Sequence, residues 1–248
     1  EGKFWEDEEE ENSLTEAQRR YIKRSKILII IIDKSSDGFA QYEMFQRLNT
    51  GGSHLSPQEI RNCILVMKDE GAYKGLKELS ENIYFQSSLP LSEKDAEEQG
   101  YLELVVKYFV LRLSRIDVSD SENYNNFITD EIIELLDKKI DLKKEKDIFE
   151  RVFKLVYDVM GENAFKKYDS EKQSHIGPVL VGAYEAIIPG IADNIDYYET
   201  HKDDLRNKID LLYSNEGYLE ATKRGIRPVS RIKKLTTLSR EVFDVKEN

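Results

Sequence analysis

The sequence predicts a mainly helical protein with one buried strand near its start. Three observations carry this prediction. Apolar residues recur at helical spacing through most of the chain after Ser92. A single six-residue apolar run, Ile27 to Ile32, reads as a strand buried on both faces. Between them, the stretch EMFQRLNTGGSHLSPQEIRNC, Glu43 to Cys63, joins two helical patterns through a pair of glycines.

With 248 residues, 40% of them apolar, the chain has material for one large domain or two small ones. The formal net charge of −11 excludes bulk attraction to nucleic acid or to an anionic membrane, so any contact with DNA must come from a local basic patch. Cys63 is the only cysteine and has no disulfide partner, and there is no signal peptide and no apolar run of about 18 residues. A cytoplasmic location without membrane contact is the expectation.

The elements follow in chain order. Ser13, with Glu16 three residues later, forms a candidate capping box for a helix over 13–24. The Ile27–Ile32 strand needs neighbours on both edges, and only Ile83 to Phe85 offers a second short strand. The chain opens on Glu1 rather than Met. The expectation is therefore a fragment or processed product, whose missing upstream segment, or a partner chain, completes the sheet.

Phe39, Tyr42, Phe45 and Leu48 stripe a short helix that ends near Asn49, and Gly51 or Gly52 can close it in the left-handed conformation. The next helix start is specified four times over: Ser56 at N-cap, Pro57 at N1, Glu59 at N3, and Leu55 with Ile60 as a hydrophobic staple. This helix is expected to bury Ile60, Cys63, Ile64 and Met67 and to stop at Gly71. Beyond it, Tyr101 to Arg115 is apolar nearly all round and should be the central helix of a bundle, with further helices at 126–139, 145–160, 179–188 and 203–214. The expected domains are residues 1–90 and 91–248.

The glycine pair admits two readings. It is either a sharp reversal between packed helices, or a Gly-rich loop whose backbone N–H groups, beside Arg47 and Arg61, hold a phosphate. It lacks the lysine of a P-loop.

The segment FQRLNTGGSHLSPQEIRNCI closely resembles the Phe-x-Arg-Leu-Asn-Thr-Gly-Gly-x-x-Leu-x-x-x-Glu-Ile/Leu-Arg-Asn signature of the N-terminal domain of GmrSD-type modification-dependent restriction endonucleases. Phe45, Arg47, Leu48, Asn49, Thr50, Gly51, Gly52, Leu55, Glu59, Arg61 and Asn62 match it position by position. The resemblance covers roughly residues 1–110 well. It implies the distal part of a ParB/sulfiredoxin-like α/β domain followed by a helical bundle, in a bacterial anti-phage or restriction protein that couples a nucleoside triphosphate, with Mg, to DNA. It implies a nucleotide site at Arg47, Asn49, Thr50, Gly51, Gly52 and Arg61, with Phe45, Leu55, Ser56 and Glu59 as the structural part of the motif. The family's Asp-Gly-Gln-Gln-Arg motif is absent: AQRR at 17–20 and FQRL at 45–48 lack the Asp-Gly. Only the second half of the family's site is therefore implied.

Relatives of this type often carry a His-Asn-His nuclease domain, which needs a set of His, Asn and carboxylate groups around a metal. The three histidines His54, His175 and His201 do not form that pattern. His175 reads as a helix-start residue and His201 as a solvated one, and no metal site is expected. The last feature is a segment from Ala221 to Arg240 without an acidic residue, holding Lys223, Arg224, Arg227, Arg231, Lys233, Lys234 and Arg240. It is either a solvated basic helix or a phosphate-tracking DNA patch presented by the turn at 225–228. Two function classes follow: a GmrSD-type defence protein that binds DNA, with or without self-assembly, or a non-enzymatic helical interaction module in which the glycine turn is structural only.

Overall fold

The computed structural model describes residues 3–27, 29 and 55–245, in two units that divide between Met44 and Phe45. In the first unit, α1 (Glu16–Arg24) is capped by Thr15 rather than by Ser13. Both pairs, Ser13 with Glu16 and Thr15 with Gln18, satisfy the capping-box spacing. The backbone decides between them. Phe4 bridges to Ser13, and the Ser13 hydroxyl accepts the Asp7 N–H at 2.8 Å, so the box closes at Thr15, whose N–H donates to Gln18 Oε1 at 2.9 Å. No residue of α1 is buried, and Tyr21 faces solvent. Ile27 and Ile29 are exposed and lie in no strand. The rest of the expected 27–32 strand and the expected helix over 39–49 lie outside the described residues.

The second unit opens as its sequence specifies. Ser56 caps α2 (Pro57–Lys68): its hydroxyl accepts the Glu59 N–H at 3.3 Å, the Glu59 carboxylate accepts the Ser56 N–H at 2.7 Å, and Pro57 sits at the start. The expected buried face is not the observed one. Gln58, Arg61 and Leu65 point inward, Cys63 is half-buried and Met67 is exposed. The polar face turns in because Arg61 finds its hydrogen-bond partners there, as set out below. Nor does Gly71 end the helix. Asp69 closes α2 and at once caps α3 (Glu70–Ser80), its carboxylate accepting the Ala72 N–H at 2.9 Å.

The short strand expected at Ile83 to Phe85 is instead α4 (Ile83–Ser88), capped by Asn82, whose side chain accepts the Phe85 N–H at 3.0 Å. Phe85 is fully buried against Phe149, Phe153 and Tyr101. After α5 (Glu93–Glu97) comes α6 (Gly100–Leu113), the expected central helix, which buries Leu102 and every residue from Leu104 to Leu111. Around it lie α7 (Tyr124–Asp137) and α8 (Leu142–Met160). Tyr108, Phe149 and Phe153 interlock at the centre, with ring centroids 4.5 Å apart for the two phenylalanines and 4.8 Å for Tyr108 with Phe149. The units divide at 44/45, and residue 90 lies inside the second, where α3 and α4 pack on α6 and α8.

One element interrupts the helices. Strands β1 (Lys166–Asp169) and β2 (Ser174–Val179) form an antiparallel hairpin with an irregularity at Lys166/Lys167. His175 therefore lies in a strand, not at a helix start. Its Nδ1 faces the Lys166 carbonyl at 2.8 Å and its Nε2 faces Asp210 at 2.9 Å. Tyr168 and Val179 pack against the core, but KKYD and SHIGPV are largely polar and carry no apolar alternation, so the hairpin leaves no period-two signal.

The chain then runs through α9 (Val181–Asp193), α10 (Ile195–Tyr198), α11 (Lys202–Leu212) and α12 (Glu216–Ala221) to α13 (Pro228–Val242). Helices α9 and α13 cross at Gly190, whose N–H donates to Ser239 Oγ at 2.9 Å. A Cβ at Gly190 would lie 2.3 Å from the Ser239 carbonyl oxygen and 2.6 Å from Phe243 Cβ. No helix among the described residues is long and apolar enough to cross a membrane.

Because the obstruction at Gly190 is backbone, Gly190→Ala must push the two helices apart. The expected loss is about 1–3 kcal/mol of unfolding free energy, despite alanine's better helix propensity. Urea unfolding of the two proteins checks this, and an unchanged midpoint would mean that the crossing is not close-packed.

Candidate nucleic-acid interface

Helix α13 is introduced by a turn at Gly225, which takes φ of 95°, and starts with Arg227 at N-cap and Pro228 in the first turn. Helical spacing puts Arg227, Arg231 and Lys234 on one side. The seven cations between Ala221 and Arg240 nevertheless separate into two sets. Lys223, Arg224, Arg227, Lys233 and Lys234 are exposed. Arg231 and Arg240 are tied into the fold.

Arg231 grips the fully buried Glu185 with two hydrogen bonds, Nε to Oε2 at 2.7 Å and Nη2 to Oε1 at 3.0 Å. Its bond to that carboxylate holds the guanidinium pKa above its ordinary value. Arg231, expected among the DNA contacts, is half-buried and acts as a strut to α9, which presents a buried carboxylate to it. Arg240 donates to Asp193 at 3.0 Å and to the carbonyls of Leu111 and Arg112, at the C-terminal end of α6. Arg112 in turn donates to Glu145 at 2.6 Å and to Asp193 at 3.0 Å.

Among the exposed cations, Lys223 pairs with Glu220, Lys233 with Asp117 at 3.2 Å, and Arg227 donates to the Asp120 carbonyl at 3.1 Å. Arg224 and Lys234 form no ion pair among the described residues.

Behind Arg231 lies a row of buried charges. Lys107, on α6, is buried, bonds Glu103 one turn earlier at 2.8 Å, and stands over the Tyr124 ring at 5.4 Å. Burial pulls the Lys107 pKa down, but Tyr124, Glu103 and Glu185 more than offset it, so the ammonium stays charged above its ordinary range. Glu103 is likewise raised by burial and lowered further by Lys107 and Arg61, ending below the usual carboxylate value. Burial pushes the Tyr124 phenol up to about 12.

Arg61 closes the row, 1% exposed. Its Nε donates to Thr129 Oγ1 at 3.1 Å, its Nη2 to the Asn125 carbonyl at 3.4 Å, and its Nη1 to the Gln58 side chain. Arg61, expected among the nucleotide ligands, ties α2 to α7. The remaining expected ligands, Arg47, Asn49, Thr50, Gly51 and Gly52, lie outside the described residues, as does Phe45.

Glu103, Lys107 and Glu185 escaped sequence reasoning. A signal existed for two of them: Glu185 stands alone in the apolar run VGAYEAIIPG and Lys107 in LVVKYFVL, and a lone charge in such a run needs a buried partner. Among the described residues no cluster of three or more His, Cys, Asp or Glu side chains suits a metal ion. No protein-family model, curated protein or solved structure matches the chain.

Removing one member of a buried pair leaves its partner's charge desolvated. Arg231→Met should therefore cost about 3–5 kcal/mol, whereas Arg227→Met, at the surface, should stay within about 0.5 kcal/mol. Chemical denaturation of both variants distinguishes the strut from the surface cation.

Proposed function

We propose that this chain is the DNA-contacting helical part of a GmrSD-type defence protein, in which a nucleotide at the Gly51–Gly52 turn is linked to recognition of DNA. The observation that carries the DNA half is the set of five exposed cations within residues 223–234, on a chain whose formal net charge is −11. A concentration of positive charge against so acidic a background is a local feature that phosphates would recognise. The nucleotide half rests on the signature resemblance alone. No hydrolytic step is assigned to a described residue, because Arg61, the one expected ligand among them, is taken up inside the fold.

That same burial favours the second reading, a helical interaction module that kept the family's turn for structural reasons. The two differ in what a nucleotide does. Added GTP or ATP with Mg should raise the melting temperature on the first reading and leave it unchanged on the second.

The DNA half has its own test. Fluorescence anisotropy with a short duplex should show binding at low salt that falls with a log–log slope of about −0.9 for each phosphate contacted. The double charge reversal Arg224→Glu/Lys234→Glu should abolish most of it. Undetectable binding at low salt, or binding indifferent to that reversal, would remove the DNA reading.

A further inference from the structure

The connection between α6 and α7, residues 114–123, lies against the start of α13. Its sequence alternates. Ile116 and Val118 pack into the core, while Asp117 and Asp120 point out. Asp117 pairs with Lys233 at 3.2 Å. Asp120 makes two contacts, its carbonyl accepting from Arg227 at 3.1 Å and its carboxylate from Ser230 Oγ at 2.7 Å. Arg227, Ser230 and Lys233 follow one another every three residues, so these contacts occupy one side of the first two turns of α13.

We infer that the 114–123 connection is an acidic strap that competes with DNA for Arg227 and Lys233. The inference rests on the DNA reading above and adds its regulation. The strap supplies oxygen acceptors where a phosphate chain would lie, and it leaves Arg224 and Lys234 uncovered for a first encounter. It is also displaceable. The Asp117 side chain is 76% exposed and that of Lys233 46%, and ion pairs so open to water are weak. Ile116 and Val118, by contrast, anchor the connection, so the carboxylates can give way without unfolding it. DNA affinity would thus be held below what the five cations could deliver, and a partner or modification drawing the strap aside would raise it.

The experiment is duplex binding by anisotropy across a salt series, on the full chain. In Asp117→Asn/Asp120→Asn we expect binding about three- to tenfold tighter at low salt and a log–log slope steeper by up to about one, as Lys233 loses its carboxylate partner and reaches phosphate while the Asp120 carbonyl keeps Arg227. Asp130→Asn/Glu131→Gln makes the same change in net charge on α7 and should leave both quantities near those of the unaltered protein. In a Lys233→Gln background the gain from Asp117→Asn should vanish. Equal tightening in the strap and α7 variants would overturn the strap in favour of a general charge effect. A gain from Asp117→Asn that survives Lys233→Gln would overturn it as well. So would an unchanged strap variant in a protein whose binding Arg224→Glu/Lys234→Glu still weakens. If no variant binds at low salt and the charge reversal has nothing to remove, the DNA reading itself fails, a result distinct from each of these.

Discussion

Helices from distant parts of the second unit meet on a row of buried and half-buried charges that alternate in sign. Arg61 from α2 faces Glu103, Glu103 bonds Lys107 on the same helix, Lys107 feels Glu185 on α9, and Glu185 is held by Arg231 on α13. Each charge in such a row is costly to take out of water, and each is made tolerable by neighbours of the opposite sign. Removal of one member strands the next, so the row specifies which helix faces which far more sharply than aliphatic contacts can. The aromatic centre at Phe85, Tyr108, Phe149 and Phe153 provides burial, and the charged row provides register.

That arrangement explains why the signature helix and the basic segment behave differently from what their composition implies. Arg61 and Arg231 both sit in polar contexts that look solvated. Each is drawn inward by a partner far away in sequence, Thr129 for one and Glu185 for the other. Of the cations that remain outside, Lys223, Arg227 and Lys233 meet exposed carboxylates or a carbonyl, and these are groups that can exchange one acceptor for another. Internal struts and surface cations thus alternate along a single helix, with Arg231 between Arg227 and Lys234.

Much of the helical plan is legible in the sequence because it is written in local chemistry. Ser56, Pro57 and Glu59 act within one turn, and the all-apolar α6 can only be central. What was not legible depends on distance. The choice of Thr15 over Ser13 as cap is made by Phe4, which pairs with Ser13. The inward face of α2 is chosen by residues of α7, not by its own pattern. Phe85 looks like strand because it is aromatic and flanked by Ile83 and Tyr84, yet Asn82 caps a helix there and the core accepts the ring. The hairpin at 166–179 turns Lys166 and His175 inward beside Tyr168 and Val179, so its inner face leaves no apolar pattern.

Asp69 ends α2 and begins α3 with no residue between them. Two helices sharing one cap are a jointed rod, not two elements on a tether. Asp69 is extended at the joint, with φ of −156° and ψ of 97°, so an inserted residue would shift and re-aim one helix against the other, taking either Arg61 or the buried Leu76 and Leu79 away from their places. Length at this point is therefore frozen. Chains descended from the same ancestor should vary freely in the connection after Ser88 or around the 170–173 turn while keeping the spacing from Ser56 to Leu79 to the residue.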